Sequence, residues 1–333
     1  MYNMHGKLNS FYNNHVRLGE KRLVLAKYRD ANIDRLKIGL SELGFTNQFE
    51  HRDQGSYAMF TINQDVTNNF DLDEAIIFSK DDLPENPVDA RNRIEAGIRK
   101  GGGNFNKSPE AKTNAVRVYY SEGHHIDLAV YRKFTDTYGN EIIEHAGSEW
   151  SRRNPEAITN WFNQAVIDKS PLKNAGAFVD ENQMRRIVRF VKYFSKSRPD
   201  WSTPGGLIIS ALVDECYVPD YQRDDFSLFQ TISSMFSRLR MQENVWNPVE
   251  ATQKLTYRER DIQRIRAFKD KLGEAISILS ILFNGQCTEK QAYEAWRWMF
   301  CHAFWDFSDK DPKPSINVIK RVPPPAPWSK FSE

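Results

Sequence analysis

The sequence has few cysteines and no long apolar run. Its three cysteines lie far apart in 333 residues, at Cys216, Cys287 and Cys301, and this spacing is typical of neither a disulfide framework nor a zinc site. No stretch of 18 apolar residues occurs, and the segment after Met1 lacks the apolar core of a signal peptide. We therefore expect a cytoplasmic protein with reduced thiols and no membrane partner.

A strong net charge is also lacking. The chain has 46 Lys and Arg residues against 44 Asp and Glu residues, which gives a net charge of +2. Because this leaves no long-range positive field, we expect no nucleic acid activator, and any phosphate binding has to be local. A Walker A loop is absent as well, since the glycines at 101–103 are not followed by Gly-Lys-Ser or Gly-Lys-Thr.

A pair of aspartates on a strand-like segment is the clearest chemical signal in the chain. Asp71 and Asp73 lie in the run 70–78, FDLDEAIIF, and residues two apart on a strand point to the same face. Asp127 lies in a second strand-like run, 126–131. Carboxylates side by side on a buried face repel each other unless a cation compensates them. If the strands are neighbours, the three acids can bind two Mg²⁺ or Mn²⁺ ions; if the first strand is an edge strand, its acids face water.

A small polar turn precedes these acids, at Gly55-Ser56. It offers a hydroxyl beside backbone N–H groups, which can hold a phosphate chain, although the same dipeptide is common in ordinary turns. The order of the three features, Gly-Ser, then Asp-x-Asp, then a third strand aspartate, favours a metal site over the ordinary alternatives.

Hydrophobic periodicity predicts a mixed first half and a helical second half. We expect a long helix over 18–43, a short helix from Tyr57, a helix over 88–99, and strands over 70–78, 115–120, 126–131 and near 138–144. Beyond residue 150 the expected helices cover 155–166, 181–197, 207–216, 226–241, 258–283 and 289–304. The fold class is therefore α+β, with a mixed sheet and its helices packed against a C-terminal helical domain.

The change of pattern gives the expected domain boundaries. Residues 1–165 form the sheet-containing core with its long N-terminal helix, and residues 166–315 form the helical domain. Residues 316–333 form a proline-rich tail, which is expected to be extended and exposed. The tail is either a frayed terminus or an attachment point for partner proteins.

Several motifs allow both a structural and a functional interpretation. The helix expected over 181–197 carries cations on one face, which is either a solvated face or a site for a triphosphate; these cations are Arg185, Arg189, Lys192 and Lys196. His124 and His125 are better explained as hairpin residues than as zinc ligands. The aromatic residues Trp296, Trp298 and Phe300 are better explained by core packing than by stacking on a base.

Gly55-Ser56, Asp71-x-Asp73 and Asp127, in that order, resemble the motif of the polymerase-β-like nucleotidyltransferase superfamily. The segments around them narrow the resemblance to the bacterial CD-NTases, and within these to the cyclic GMP–AMP synthase subgroup. The likeness is densest across residues 11–162, in the segments 11–18, 32–36, 54–59 and 116–127. It implies a polymerase-β-like nucleotidyltransferase core and a C-terminal helical domain that closes the nucleotide cleft.

The resemblance also implies roles for individual residues. Asp71, Asp73 and Asp127 match the catalytic Mg²⁺-binding triad. Arg117 matches an arginine at the nucleotide site, Asn154 matches a base contact, and Lys192 with a hydroxyl of Ser202-Thr203 matches the groups that hold the donor triphosphate. The full set implied to contact nucleotide is Gln54, Gly55, Ser56, Tyr57, Arg117, Asn154, Lys192, Ser202 and Thr203.

The function implied by the resemblance is the condensation of ATP and GTP into cyclic GMP–AMP with release of pyrophosphate. In this family such products are second messengers of antiphage (CBASS) defence, and accessory CBASS proteins are implied partners for the C-terminal tail. Three alternatives remain open: another cyclic di- or trinucleotide, nucleotide transfer to RNA or protein, and a catalytically silent nucleotide-binding module.

Overall fold

A mixed sheet and a set of packed helices make up the structure, a computed structural model that describes residues 1–64, 71–103, 105, 107–121, 123–171 and 182–308. The α-helices are α1 His5–Phe11, α2 Lys21–Glu42, α3 Gly55–Ala58, α4 Pro87–Lys100, α5 Pro155–Lys169, α6 Gln183–Ser195, α7 Gly206–Cys216, α8 Asp224–Met241, α9 Glu259–Leu279 and α10 Glu289–Phe300. The strands are β1 Glu50–Gln54, β2 Asp71–Ser79, β3 Glu110–Ala111, β4 Val116–Tyr119, β5 His125–Thr135, β6 Glu141–Ala146, β7 Trp150–Arg152, β8 Trp246–Asn247 and β9 Glu250–Lys254.

The main sheet is organised around the long strand β5. The strand order is β1-β2-β5-β4-β3, and β6 pairs with the second half of β5 and with β7. β2 and β5 run parallel, whereas the other pairs in this sheet are antiparallel. This arrangement makes the two strands with the expected aspartates direct neighbours.

The alternation of side chains along β2 separates the hydrophobic core from the polar face. Leu72, Ile76 and Phe78 are buried on the face that packs with apolar residues of α2 and α4. Asp71 and Asp73 belong to the opposite face, because side chains alternate along a strand. The apolar stripe of α2, with Leu36 and Leu40 fully buried, explains why one face of the sheet is closed.

Helix α6 lies at the centre of the helical part. Twelve of its thirteen residues are buried, and its apolar side chains pack with those of α7, α8, α9 and α10. The N-terminal segment also joins this cluster, through α1 and the π-helical turn Tyr12–Val16, rather than packing on the sheet. No helix in the described ranges is both long enough and apolar enough to cross a membrane. The division at residue 165 remains our proposal.

The expected α+β class is confirmed, and most expected elements are present with shifted ends. The strand expected over 70–78 begins at Asp71 within the described residues; Phe70, Glu181 and the tail 316–333 lie outside them. Three short strands that the sequence pattern did not indicate, β7 and the β8–β9 hairpin, lie beyond the strand expected near 138–144. These strands are short and polar, and therefore carry no hydrophobic alternation. The helix expected over 289–304 ends at Phe300, because Cys301 adopts a left-handed conformation.

Candidate active site

Strand register brings the three aspartates onto one face of the sheet. Asp73 lies directly opposite Asp127 in the parallel pair of β2 and β5, and Asp71 lies opposite His125. Residues two apart on β2 share a face, and register partners on neighbouring strands do the same. The carboxylates predicted from spacing therefore meet at the start of these two strands.

The three carboxylates differ in their electrostatic surroundings. Burial, together with the negative charges of Asp127 and Asp71, raises the pKa of Asp73 to about 7. Burial also acts to raise the pKa of Asp71, but the hydrogen bond and charge of His125 outweigh it, so the pKa of Asp71 is lowered. Because burial and like charge both disfavour the ionised form of Asp73, a cation at this point would stabilise its charge.

Asp127 is held by Arg117, its register partner on β4. The guanidinium donates from Nε to Oδ1 at 2.8 Å and from a terminal nitrogen to Oδ2 at 2.6 Å, a two-pronged ion pair. Among the residues that the structure describes, no three His, Cys, Asp or Glu side chains have a metal-binding arrangement. The donor chemistry nevertheless fits a hard cation, since three carboxylates share one face and burial with the charges of Asp127 and Asp71 raises the pKa of Asp73.

Gly55 begins α3 immediately beside Asp73. Strand β1 ends at Gln54, which lies opposite Asp73 in the register, so the chain turns next to this carboxylate. Gly55 has a φ of +61°, and a Cβ at this position would overlap with Oδ2 of Asp73. Only glycine therefore allows the backbone to approach this acid so closely. Gln54 itself accepts a hydrogen bond from Tyr131 at 3.0 Å.

A cavity of about 880 Å³ opens between this face of the sheet and the helical part. Its volume is in the range of small-molecule binding sites. The sheet side contributes Gly55, Ser56, Asp71 and Asp73. The helical side contributes Lys192, Lys196, Gly205, Gly206, Phe300, Cys301 and His302, and His15 comes from the N-terminal segment.

The cations of α6 do not form a solvated face. Arg185, Arg189 and Lys192 are all less than a tenth exposed, and only Lys196 at the end of the helix is exposed. The Nζ of Lys192 donates to Oγ1 of Thr61 at 2.7 Å. Burial, reinforced by Lys196 and Arg189, lowers the pKa of Lys192 to about 7. Lys192 is therefore a buried cation at the surface of the cavity, which excludes the solvated-face interpretation for this residue.

The N-terminus of α7 lies beside Lys192. Its N-cap is Gly205, which has no side chain to accept hydrogen bonds from the first N–H groups of the helix. A Cβ on Gly206 would lie 3.0 Å from Cε of Lys192, so the backbone passes close to the ammonium stem. The partial positive charge of the helix end thus adds to that of Lys192 and Lys196 on this side of the cavity.

Other residues predicted from the resemblance lie away from the described cavity lining. Asn154 is exposed and accepts a hydrogen bond from the Glu156 N–H at 2.9 Å, as the N-cap of α5. Thr203 donates to the Ser195 carbonyl at 2.9 Å, and Ser202 is exposed. Tyr57 is buried, with the Arg22 guanidinium 3.6 Å from its ring centre.

Reasoning from the sequence missed several residues that line or support the cavity. Thr61 has no motif, and only the folded structure reveals its contact with Lys192. Gly205-Gly206 before an apolar helical run was a usable signal for a helix that begins close to a ligand. His15 and His302 are far apart in sequence, and no local pattern connects them.

The two histidines after β4 and the aromatic residues of α10, which each allowed a structural and a functional interpretation, have partners within the fold. The His124 ring stacks on Tyr120 with an interplanar angle of 13°, and His125 bonds to Asp71. Trp296 is fully buried and stacks on Phe300, as expected for core residues. Phe300 additionally reaches the lining of the cavity.

Comparison with known protein families identifies the sheet region. Residues 49–131 match the model of the nucleotidyltransferase domain of cyclic GMP-AMP synthase DncV-like proteins. The match covers β1 to the middle of β5, with Gly55 and the three aspartates. It confirms the CD-NTase resemblance and the nucleotidyltransferase class of enzyme.

Solved structures with the same fold cover nearly the whole chain. The Vibrio cholerae DncV cyclic AMP-GMP synthase in complex with nonhydrolyzable GTP is 14% identical, with a TM-score of 0.67 over 90% of this chain and 96% of that one. CdnC of E. coli MS115-1 with ATP is 15% identical, with a TM-score of 0.65 over 90% and 98% of the two chains. CdnC of E. coli MS115-1 in its HORMA-deltaN complex is 15% identical, with a TM-score of 0.66 over 89% of this chain and 96% of that one. At these identities the likeness establishes the fold.

Proposed function

We propose that this chain, a member of the CD-NTase family with a DncV-like nucleotidyltransferase domain, condenses ATP and GTP into cyclic GMP–AMP and releases pyrophosphate. The observation that carries the proposal is the distribution of charge in the cavity. Carboxylates lie on the sheet side, and Lys192, Lys196 and the N-terminus of α7 lie on the helical side. A nucleoside triphosphate with bound divalent cations matches this distribution.

In this proposal Asp71, Asp73 and Asp127 hold two Mg²⁺ ions. When bound, the ions neutralise the triphosphate and make the acceptor ribose hydroxyl a better nucleophile towards the α-phosphate of the donor. The aspartates themselves orient these positive charges, and Gly55 leaves room for the Asp73 carboxylate. Arg117 donates one hydrogen bond to each oxygen of Asp127, and the lone pairs that remain on these oxygens are available to a cation.

The remaining cations bind and orient the triphosphate. Arg117 uses only two of its five N–H donors on Asp127, so the others can pair with a phosphate oxygen. Lys192 can exchange its bond to Thr61 for a phosphate contact, and a phosphate would raise the pKa of its ammonium group. Ser56, at the start of α3, lines the same cavity, and its hydroxyl can donate to the leaving pyrophosphate.

Ring closure requires the same groups to act twice. After the first transfer, the linear dinucleotide turns over within the cavity so that its free ribose hydroxyl attacks the α-phosphate of the triphosphate it retains, and a second pyrophosphate leaves. A cavity of about 880 Å³ between the sheet and the helices suits two nucleotides better than it suits a long nucleic acid strand. The choice of ATP and GTP rests on the resemblance to the cyclic GMP–AMP synthase subgroup.

The product is proposed to serve as a second messenger in antiphage signalling. A structure of the CdnC relative is a complex with HORMA-deltaN, so a protein with this fold forms a complex with another protein. We propose that accessory proteins of the same system bind this chain through the proline-rich segment 316–333, which lies outside the described residues.

The decisive experiment is to incubate the purified protein with Mg²⁺ and all four nucleoside triphosphates. We expect pyrophosphate and a phosphatase-resistant product with the mass of cyclic GMP–AMP, and we expect Asp73→Ala to abolish both. Digestion with linkage-specific nucleases then distinguishes 3′–5′ from 2′–5′ bonds.

Other results of this experiment select the alternatives. A product of different mass changes the ring but keeps the reaction class. Label in RNA or protein without a small cyclic product indicates nucleotide transfer to a macromolecule. Tight binding of a triphosphate without pyrophosphate release indicates a catalytically silent module.

A further inference from the structure

Two histidines from distant parts of the chain lie next to each other at one end of the cavity. The N-terminal segment and the residues after α10 form this end. His15 and His302 both line the cavity, and their ring centroids are 4.4 Å apart. Neither belongs to the acidic site or to the cations of α6. We refer to His15 and His302 as the histidine pair.

Both histidines are held on irregular backbone. His15 lies in the π-helical turn Tyr12–Val16, a conformation that is rare and often found at functional sites. His302 follows Cys301, a non-glycine residue with a φ of 48° and a ψ of 46°. Such backbone strain costs free energy, and it is retained mainly where it places a functional group.

Aromatic packing fixes the orientation of the pair. The centroid of the His15 ring lies 5.2 Å from that of Phe304 and 5.7 Å from that of Phe11. The centroid of the His302 ring lies 5.4 Å from that of Phe11. The rings are half-buried, so their edges remain accessible from the cavity. A rigid, partly desolvated imidazole is suited to reading a hydrogen-bonding edge.

The backbone assigns the tautomer of His302. Its Nδ1 accepts a hydrogen bond from the Phe304 N–H at 3.0 Å, so Nδ1 carries no proton. Burial lowers the pKa of both rings, which favours their neutral forms at neutral pH. In neutral His302 the proton is then on Nε2, which becomes a fixed donor. No bond to the His15 ring nitrogens is recorded among the described residues, and neutral His15 can offer either a donor or an acceptor.

We propose that the histidine pair reads the nucleobase of one substrate nucleotide, with His302 Nε2 donating to an acceptor on the base edge. This inference rests on the proposed function, since it assigns a specificity role within the same cavity. The phosphates are attracted to Lys192 and to cations held by the aspartates, so the aromatic-backed end of the cavity, which the histidine pair lines, is left for a base. The positions of donors and acceptors on the edge differ between the four bases, so a fixed donor discriminates among them.

Two substitutions of His302 distinguish a loss of base recognition from a loss of folding stability. His302→Asn keeps an acceptor near the place of Nδ1 and can still cap Phe304, but it removes the Nε2 donor. His302→Gln keeps an N–H donor near the place of Nε2 but loses the cap. The wild-type protein and both variants are tested for binding of ATP, GTP, CTP and UTP, each with Mg²⁺, by calorimetry, and for melting temperature.

We expect wild-type protein to bind the four nucleotides unequally. His302→Asn should reduce the preference for the best nucleotide over the others by about fivefold to tenfold, the effect of one hydrogen bond. His302→Gln should retain most of the preference and melt at a lower temperature. Equal affinity of wild-type protein for all four nucleotides, an unchanged ranking in His302→Asn, or equal loss in both variants overturns the inference.

The binding measurement also separates this inference from the proposed reaction. If wild-type protein ranks the nucleotides and His302→Asn weakens the ranking, the histidine pair reads a base even when no pyrophosphate is released. If pyrophosphate is released normally but the ranking does not change in His302→Asn, the inference fails while the reaction stands.

Discussion

The absence of a side chain at Gly55 lets the proposed phosphate-binding turn lie directly beside the acidic site. We expect Gly55→Ala to displace Asp73, because the added Cβ overlaps with its Oδ2. Displacement of a catalytic group by about 1 Å costs roughly 100-fold in rate. The left-handed φ of +61° should also lower the free energy of unfolding by about 1–2 kcal/mol. Pyrophosphate release and denaturant unfolding measure the two effects.

Gly19 offers a matched control for this substitution. Its φ is +60°, nearly that of Gly55, but no atom lies within 4 Å of the position of its Cβ. Gly19→Ala should therefore show the stability loss without the loss of activity. Equal activity loss in both variants, or full activity in Gly55→Ala, would contradict the role assigned to the close approach.

Lys192 should make stability depend on pH. Burial lowers its pKa from 10.5 to about 7 in the folded protein, so between these values the unfolded chain binds more protons than the folded one. The contribution of Lys192 to the free energy of unfolding therefore rises with pH across this window, by at most about 1.4 kcal/mol per pH unit. Lys192→Met should remove this slope and be more stable than wild type near pH 7. Urea unfolding at pH 7, 8 and 9 measures both.

Lys196, one turn further along α6, is exposed and serves as the comparison. Lys196→Met removes a charge of the same sign at the C-cap of α6 and should keep most of the pH dependence of wild-type protein, because burial is the larger cause of the lowered pKa of Lys192. An identical slope in Lys192→Met and wild-type protein would show that Lys192 does not carry the effect.

The contact between α2 and α4 depends on glycines that let the two helices touch. A Cβ on Gly39 of α2 would overlap with the carbonyl oxygen of Gly97 on α4. We expect Gly39→Ala to push the helices apart and to lower the free energy of unfolding by about 3 kcal/mol, despite the better helix propensity of alanine. Because these helices cover the back of β2 and β5, nucleotide binding should weaken as well.

Gly6 in α1 is the control for helix propensity. No atom lies within 4 Å of the position of its Cβ, so Gly6→Ala should be neutral or stabilise the protein by up to about 1 kcal/mol. If Gly39→Ala were as well tolerated as Gly6→Ala in denaturant unfolding, the close approach of α2 and α4 would be wrong.

Elements with buried apolar residues at helical or strand spacing were predictable, and polar elements were not. Helix α2 differs from its expected ends by only a few residues, because its buried stripe follows the helical period. Strand β1, with the sequence EHRDQ, was missed because its neighbours in the sheet stabilise it rather than its own apolar residues. The polar hairpin of β8 and β9 was missed for the same reason.

The candidate site likewise has some features that local sequence patterns predict and others that they do not. The spacing of Asp71 and Asp73 was sufficient to predict that they share a face, because strand alternation is a local rule. The position of Asp127 beside them depended on β2 and β5 being neighbours in register. The pairing of Arg117 with Asp127 and of Lys192 with Thr61 follows from how strands and helices pack, which no local pattern encodes. The histidine pair is of this second kind.

Contacts across the cavity couple the sheet to the helices. Lys192 bonds to Thr61, and the Asn63 side chain donates to the Arg189 carbonyl at 2.8 Å. Both contacts join α6 to the segment that follows α3. A ligand that occupies the cavity therefore binds both parts at once and should stabilise the protein against unfolding as a unit.

Asp73→Asn tests whether the acidic site provides this stabilisation. At pH 8 the wild-type carboxylate is ionised, although burial and the charges of Asp127 and Asp71 raise its pKa to about 7. Removing its charge should increase the stability of the nucleotide-free protein by about 1–2 kcal/mol while abolishing pyrophosphate release. Wild-type protein should gain about 2.7 kcal/mol at an ATP and Mg²⁺ concentration 100-fold above Kd, and the variant should gain far less.

A gain in stability together with a loss of activity distinguishes an acid retained for function from one retained for folding. Substitution of a carboxylate that is retained for folding would destabilise the protein. Substitution of a carboxylate that is retained for cation and nucleotide binding stabilises the protein and abolishes its function. Glu149→Gln, at an exposed position between β6 and β7, should change neither quantity. Calorimetric melting with and without ATP and Mg²⁺ gives the comparison. Asp73→Asn that is less stable than wild type, or that keeps the full ligand-induced stabilisation, would exclude Asp73 as the acid on which cation binding depends.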